Sequence, residues 1–212
     1  MFDTGKMKKK VEELKKSGLI RKKEKILIAF SGGPDSVFLY NLLNFLKKEY
    51  SLEISLMYIN HNLREDVGND LKFVREFSEE NNVPLYIESV NVKEYATENK
   101  KSIELAAREL RYEAIERTLK NINYDRIATG HNLDDNIETF IFRLVRGTSL
   151  KGLKGIPEER GNIIRPILQF EKNEILNYLQ ENRKSYIIDY TNNKNDYTRN
   201  YIRNEIFPMF VN

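Results

Sequence analysis

The segment ILIAFSGGPDSVFLYNLL at residues 26–43 is the feature that most restricts how this chain can fold. Its apolar, β-prone run at residues 26–30 passes through SGGPDS directly into an apolar run with helical spacing. A glycine-rich turn between a strand and a helix presents backbone N–H groups at the positive end of the helix dipole. Gly32 and Gly33 would let the backbone approach an anion closely. The segment therefore predicts a phosphate-binding loop made of Ser31, Gly32, Gly33, Pro34, Asp35 and Ser36.

Two widespread phosphate-binding patterns do not fit this loop. The pattern G-x-x-x-x-G-K-S/T needs a lysine that reaches the β- and γ-phosphates, and no lysine follows the glycines here. The dinucleotide-binding spacing G-x-G-x-x-G is absent as well. Serines with one carboxylate favour Mg²⁺ as the neutralising charge, with Asp35 as a candidate ligand. The alternative is purely structural: a strand-to-helix turn that needs glycine and an aspartate at the helix start.

Short β-branched runs alternate with longer segments of helical periodicity along the chain. This alternation predicts an α/β fold with a parallel sheet of about five strands and helices on both faces. Beyond residue 146 the glycine-rich stretch GTSLKGLKGIPEERGN predicts a loop. Strands are predicted at residues 25–30, 53–60, 85–90, 125–129, 163–167 and 186–188, and helices at residues 6–18, 35–48, 65–81, 102–119, 134–146 and 171–182.

Residues that directly follow the predicted strands are candidates for a ligand site, because ligands bind at the carboxyl ends of parallel strands where the strand order reverses. Besides SGGPDS they are HNLR at 61–64, NVKEY at 91–95 and GHNLDD at 130–135. Both histidines of the sequence, His61 and His131, fall in these segments. Each alone is more typical of a loop histidine bonded to backbone, but their joint placement favours a site.

The helix that follows GHN carries a carboxylate face. Asp134 and Asp135 open this helix and Glu138 lies one turn further on. These carboxylates could hold Mg²⁺ or receive the ammonium groups of a substrate. The alternative is that acidic residues in a first helical turn only stabilise the helix dipole.

Two arginines on the preceding helix are candidates for phosphate binding. Arg108 and Arg111 lie on one face of this helix. The alternative for Arg108 is an ordinary ion pair with Glu104, four residues earlier. On the helix at 134–146, the spacing of Ile137, Phe140, Ile141 and Leu144 predicts core positions.

Composition narrows the class of protein. The sequence has no cysteine, which excludes disulfides, thiolate metal sites and thiol nucleophiles within it. It also lacks a long apolar run and a secretory h-region, so no membrane span and a cytoplasmic location are expected.

Residues 1–25 hold ten Lys or Arg against four acidic residues. This basic helix could grip a polyanion or could simply be a solvated face.

The SGGPDS loop closely resembles the PP-loop, SGGxDS, of the N-type ATP pyrophosphatases. Five further blocks, in the same order and with similar spacing, resemble the tRNA(Ile)-lysidine synthetases. The resemblance covers residues 20–210. The blocks are INHNLR (59–64), SIELAARELRYEAI (102–115), ATGHNLDDNIETFIFRLVRGTSLKGLKGI (128–156), IIRPIL (163–168) and DYTNNKNDYTRNYIR (189–203).

This resemblance implies a Rossmann-like PP-loop ATPase fold and a ligase that forms a C–N bond with ATP and Mg²⁺. ATP would adenylate C2 of the wobble cytidine in tRNA(Ile) with a CAU anticodon and release pyrophosphate. Free L-lysine would then attack C2, and AMP would leave. The implied organisation is a basic helix at 1–20, an adenylation domain at 21–190, and the start of a linker or helix towards a C-terminal domain at 191–212. The oligomeric state is left open, with a homodimer as one option.

The resemblance also implies roles for individual residues. Catalytic roles fall to Asp35, Arg108, Asp134 and Asp135, with Asp35 and Asp134 as metal ligands. Nucleotide binding falls to the six loop residues and to His61, Arg64, Gly130 and His131. Recognition of lysine or tRNA falls to Arg111, Asp135, Glu138, Arg199, Asn200 and Arg203.

Two other functions are compatible with the loop. A PP-loop tRNA thiolase shares the adenylation step, but such enzymes generally depend on cysteines, and this sequence has none. A nucleotide-binding module without catalysis would need the loop but not the carboxylate face of Asp134, Asp135 and Glu138. The presence of that carboxylate face favours an enzyme over a non-catalytic module.

Overall fold

The structure is a computed structural model that describes residue 2 and residues 5–62, 67–149 and 152–188. The predicted site residues Arg64, Arg199, Asn200 and Arg203 lie outside the described residues, as does the block at 189–203. The helices of these described ranges are α1 (Gly5–Ser17), α2 (Pro34–Tyr50), α3 (Val67–Glu80), α4 (Val92–Glu98), α5 (Ile103–Ile122), α6 (Leu133–Val145) and α7 (Lys172–Glu181), with a 3-10 turn at Gly152–Lys154.

In the part of the chain that the structure describes, six strands form one sheet in the order β3-β2-β1-β4-β6-β5. The first five in this order run parallel, and the edge strand β5 pairs antiparallel with β6. This arrangement confirms the predicted α/β fold. The strand order reverses between β1 and β4, which places the expected ligand position at their carboxyl ends. The strands are β1 (Lys25–Ala29), β2 (Glu53–Asn60), β3 (Leu85–Ser89), β4 (Arg126–Ala128), β5 (Glu159–Arg160) and β6 (Ile163–Ile164).

Both faces of the sheet are covered because side chains alternate along the buried central strand β1. Ile26 and Ile28 belong to a core cluster with residues of α2, α3 and α7. Leu27 belongs to a second cluster with residues of α4 and α5. The apolar run of α2 is buried as predicted, apart from Phe45, which is exposed.

Three local predictions were wrong. The predicted helices omit α4, which follows β3 and which Asn91 caps by accepting a hydrogen bond from the Glu94 N–H. The glycine-rich loop beyond residue 146 contains β5, whose two residues are too few to give a periodic signal. The strand predicted at 186–188 has no strand structure, although it packs on the SGGPDS loop.

The buried face of α6 also differs from the prediction. Ile141 is buried, but Phe140 and Leu144 are 39% and 55% exposed, and Glu138 is buried instead. The face of α6 that points into the protein therefore includes the Glu138 carboxylate and excludes part of the apolar stripe. The spacing of apolar residues cannot indicate that a carboxylate is buried. No helix in the described part of the chain is both long and apolar enough to span a membrane.

The basic helix α1 is joined to α7 rather than standing apart. Val11 and Leu14 are buried in the core. The Lys6 ammonium lies 2.7 Å from the Glu171 carboxylate, and that of Lys10 lies 2.5 Å from Glu174. Part of the positive charge of α1 therefore stabilises the protein's own packing.

A buried ion network joins the amino ends of the central strands. Arg126 on β4 is 5% exposed, and its guanidinium lies 3.1 Å from Glu24 and 2.8 Å from Glu159. A third guanidinium N–H donates to the Leu19 carbonyl at 2.9 Å. With Glu24 itself 7% exposed, removing Arg126 would leave a carboxylate without its counter-ion in the interior.

We therefore expect Arg126→Ala to lower the free energy of unfolding by about 3–5 kcal/mol. The control is Arg117→Ala, which removes a more exposed ion pair with Glu88 and should cost at most about 1 kcal/mol. Urea denaturation of both variants and the wild type measures the difference. Equal losses in the two variants would contradict a structural role for the buried network.

Candidate active site

The SGGPDS loop forms a cradle of N–H groups at the start of α2. Gly33 is the N-cap and Pro34 is the first helical residue, as the sequence predicts. The first intrahelical bond runs from the Val37 N–H to the Gly33 carbonyl at 3.0 Å. The N–H groups of Asp35 and Ser36 therefore have no intrahelical acceptor, which is the arrangement that binds phosphate at helix N-termini. The donor set fits a nucleotide phosphate chain.

Gly32 holds the loop in a conformation that other residues adopt only with strain. Its φ is +80°, in the left-handed region, and it is buried. The Gly32 carbonyl accepts a hydrogen bond from the Ile187 N–H at 2.8 Å. A Cβ at Gly32 would lie 2.6 Å from Ile187 Cδ1 and 3.0 Å from an atom of Phe73. The requirement for glycine is therefore both conformational and steric.

The segment after β4 converges on the same loop. A Cβ on Gly130 would lie 3.3 Å from Asp35 Cβ, so the two turns are in direct contact. Asn132 is buried, and its Nδ2 donates to Asp35 Oδ1 at 3.0 Å. His131 lies beside them, with Nδ1 3.0 Å from Thr129 Oγ1. The structure thus brings together the two segments that the strand-end argument placed at one site.

Lys172, the first residue of α7, contacts both carboxylates that the sequence suggested as metal ligands. Its Nζ lies 2.6 Å from Asp35 Oδ2. Its backbone N–H donates to Asp134 Oδ2 at 2.7 Å. Sequence reasoning missed Lys172 and Asn132. Asn132 stands within the GHN segment and was detectable there, whereas no local pattern marks Lys172.

The carboxylate of Asp135 serves the start of α6 itself. Asp135 Oδ2 accepts from the Asn132 N–H, and Asn132 Oδ1 accepts from the Asp135 N–H, both at 3.0 Å. This capping box supports the structural alternative for Asp135. Glu138 is only 2% exposed. Among the residues that the structure describes, no group of three or more His, Asp or Glu side chains is placed to hold a metal ion.

His61 and Arg111 pair at the carboxyl end of β2. A guanidinium nitrogen of Arg111 lies 3.4 Å from His61 Nε2. Burial, and to a smaller extent the positive charge of Arg111, lowers the pKa of His61 from 6.5 to about 4. The imidazole is therefore neutral at physiological pH, and its Nδ1 is buried with no hydrogen-bond partner in the described ranges.

Two further arginines lie near this pair. Arg108 lies over the ring of Tyr112 at 5.6 Å. The alternative ion pair with Glu104 is not found among the salt bridges of the described residues. Arg165 follows β6 and is 5% exposed, with its Nε unbonded among the described atoms. Burial lowers the pKa of Arg165. Guanidinium groups of this kind suit an anionic ligand.

A family model described as the PP-loop domain matches residues 4–210. The chain belongs to the PP-loop family. Membership implies that it uses ATP. This agrees with the cradle at α2, where Gly32 and Gly33 stand at the positions expected from the loop pattern.

Two curated relatives are named tRNA(Ile)-lysidine synthase. The relative from Thermosipho africanus is 41% identical over 96% of this chain and 48% of its own length. That from Clostridioides difficile is 43% identical over 94% of this chain and 44% of its own length. This chain therefore spans about half the length of these relatives.

Among solved structures, the U34-tRNA thiolase NcsA from Methanococcus maripaludis, with its 4Fe-4S cluster, has a TM-score of 0.68 at 19% identity. The match covers 97% of this chain and 78% of the thiolase chain. At this identity the similarity shows a shared fold.

We expect Gly32→Ala to destabilise the protein more than Gly161→Ala. Both glycines have positive φ, so each substitution costs roughly 1–2 kcal/mol of backbone strain. Only at Gly32 does the new Cβ also clash with Ile187. Urea denaturation should show that Gly32→Ala with Ile187→Ala is less destabilised than the sum of the two single changes. Additive effects would show that the close packing on Ile187 is unimportant.

The lowered pKa of His61 predicts a pH dependence of stability. Between about pH 4 and 6.5 the unfolded chain binds more protons at this residue than the folded chain does. The contribution of neutral His61 to the free energy of unfolding is complete above pH 6.5 and is lost as the pH falls towards about 4. We expect His61→Gln to reduce the loss of unfolding free energy between pH 7 and pH 5, measured with urea. An unchanged loss would mean that His61 titrates normally.

Proposed function

We propose that this chain carries the catalytic part of a tRNA(Ile)-lysidine synthetase, a ligase that joins lysine to C2 of the wobble cytidine. The main support for this proposal is the similarity of nearly the whole chain to two enzymes of that name. The contacts that Asn132 and Lys172 make with Asp35 of the phosphate cradle support the same conclusion. The first step forms an adenylated tRNA and releases pyrophosphate, and the second forms the C–N bond and releases AMP.

In the first step, the N–H groups at the start of α2 hold the departing phosphates. Donors fixed in advance stabilise the charge that develops on pyrophosphate, and this lowers the barrier. Ser31 and Ser36 add hydroxyl groups at the rim, and His61 and His131 border the nucleotide. Mg²⁺ would be held by Asp35, with Asp134 beside it, and would neutralise phosphate charge when bound.

In the second step, the acidic side of the site receives lysine. Glu138 is almost fully buried, and its carboxylate is proposed to accept from an ammonium group of lysine. Asp135 Oδ2 accepts from the helix cap, and the same carboxylate is proposed to accept from lysine as well. The two carboxylates one turn apart thus orient the substrate, so that its uncharged ε-amine attacks C2.

The partner of this reaction is tRNA(Ile) with a CAU anticodon. Arg108 and Arg111 are proposed to bind phosphate. Arg199, Asn200 and Arg203 are proposed to contribute to tRNA recognition as well. A tRNA substrate and the lack of cysteine suit a cytoplasmic protein.

A thiolase function is not favoured, although the fold is shared with a tRNA thiolase. That enzyme is described with a 4Fe-4S cluster, and this sequence offers no cysteine to ligate one.

The decisive experiment measures transfer of labelled lysine to unmodified tRNA(Ile) with ATP and Mg²⁺, with AMP and pyrophosphate followed in the same reaction. We expect lysine and AMP to appear in equal amounts. Asp35→Asn should reduce both by at least about 100-fold, since it removes the loop's negative charge. Circular dichroism of the variant checks that the fold is kept.

Other outcomes would change the proposal in specific ways. Pyrophosphate without lysine transfer would mean that the chain adenylates a different acceptor. Neither product, with ATP still bound, would favour a non-catalytic nucleotide-binding module. Wild-type rates in Asp35→Asn would remove the proposed role of that carboxylate.

A further inference from the structure

The loop cradle contains no lysine, yet a lysine ammonium lies on its only carboxylate. Lys172 Nζ is 2.6 Å from Asp35 Oδ2, although the two residues are 137 positions apart in sequence. The other oxygen of Asp35 accepts from Asn132 at 3.0 Å. Both oxygens of the loop carboxylate are thus engaged, one of them by a cation supplied from a different helix.

The backbone of Lys172 is held in place by hydrogen bonds that do not involve its ammonium group. Its N–H donates to Asp134 Oδ2 at 2.7 Å. The adjoining Phe170 carbonyl accepts from the Leu133 N–H at 2.9 Å. The start of α7 is therefore docked on the start of α6, and only the side chain of Lys172 is left to reach the loop.

The contact lies at the opening of the site. The side chains of Lys172 and Asp35 are 34% and 27% exposed, so a ligand in the cradle would meet both groups. Polyphosphate carries more negative charge than a single carboxylate and attracts an ammonium more strongly. In loops of the G-x-x-x-x-G-K-S/T type, an in-line lysine reaches the β- and γ-phosphates.

We propose that Lys172 is a catalytic residue that binds the pyrophosphate portion of ATP, in place of the lysine that the loop lacks. This inference rests on the proposed function, since it assumes that the cradle binds ATP. The ion pair with Asp35 is then the nucleotide-free arrangement of the same ammonium group. When phosphate enters, Lys172 changes partner and the Asp35 carboxylate becomes available to a metal ion.

The test compares equilibrium binding of ATP, pyrophosphate and AMP, measured by calorimetry without tRNA. Lys172→Met keeps the length of the side chain but removes its charge. We expect Kd for ATP and for pyrophosphate to rise ~10-fold or more, because a charge-assisted contact is lost. Kd for AMP should change less than about 3-fold, since AMP lacks the phosphates in question. Lys172→Arg should retain most of the affinity for pyrophosphate.

Lys10→Met is the matched control. Lys10 pairs with Glu174 on the same helix, so its loss perturbs α7 without touching the loop. It should leave all three affinities unchanged. If Lys172→Met does not fold, Lys172→Gln replaces it in the comparison with Lys172→Arg.

The outcomes separate this inference from the proposed function. Wild-type affinity for pyrophosphate in the Lys172 variants, with lysine transfer intact in the wild type, would overturn the role of Lys172 alone. Equal losses for ATP, pyrophosphate and AMP would show that Lys172 only maintains the loop, and would also overturn it. A wild-type chain that binds no ATP would overturn both proposals.

Discussion

The contact set around the Asp35 carboxylate is the interaction on which the site depends. Asn132 and Lys172 each donate to one of its oxygens, and they come from segments that follow β4 and β6. Three loops at the carboxyl edge of the sheet are thereby fixed relative to one another. The reversal of strand order between β1 and β4 opens the space, and these hydrogen bonds determine which groups line it. A phosphate cradle alone occurs in many α/β proteins, whereas a cradle joined to the first turns of two other helices makes a site of defined chemistry.

The sheet and the phosphate loop were predictable from sequence because their signals are local. Apolar runs, helical spacing and the glycine pair each lie within about ten residues, and the predicted core strands and α2 are confirmed. The buried face of α6 was not predictable, since the apolar stripe of Phe140 and Leu144 points outward while Glu138 points inward. That inversion violates the hydrophobic pattern. Such departures from the hydrophobic pattern are typical of functional sites, where a polar side chain is buried because the chemistry requires it. Lys172 was missed for a different reason: it meets Asp35 only through the tertiary fold.

The helix cap at α6 shows how one residue can serve stability and chemistry together. Asp135 closes a capping box with Asn132, an arrangement worth about 1 kcal/mol to a helix. Asn132 uses its amide oxygen for that cap and its amide nitrogen for Asp35. The geometry that begins the helix therefore also orients the loop carboxylate. The structural and functional interpretations of these residues, which competed when only the sequence was considered, are compatible.

The basic helix α1 contributes to the same arrangement from a distance. Lys6 and Lys10 pair with Glu171 and Glu174, which flank Lys172 at the start of α7. The ring of Phe2 stacks on that of Tyr178 at 4.5 Å, further along the same helix. The exposed Lys6–Glu171 pair stabilises little by itself, whereas the largely buried Lys10–Glu174 pair and the aromatic contact add to the packing of the N-terminal segment on α7. The positive charge of the first helix, which alone suggested a nucleic-acid contact, thus has a structural use: it pairs with carboxylates at the start of α7 and fixes α1 against that helix.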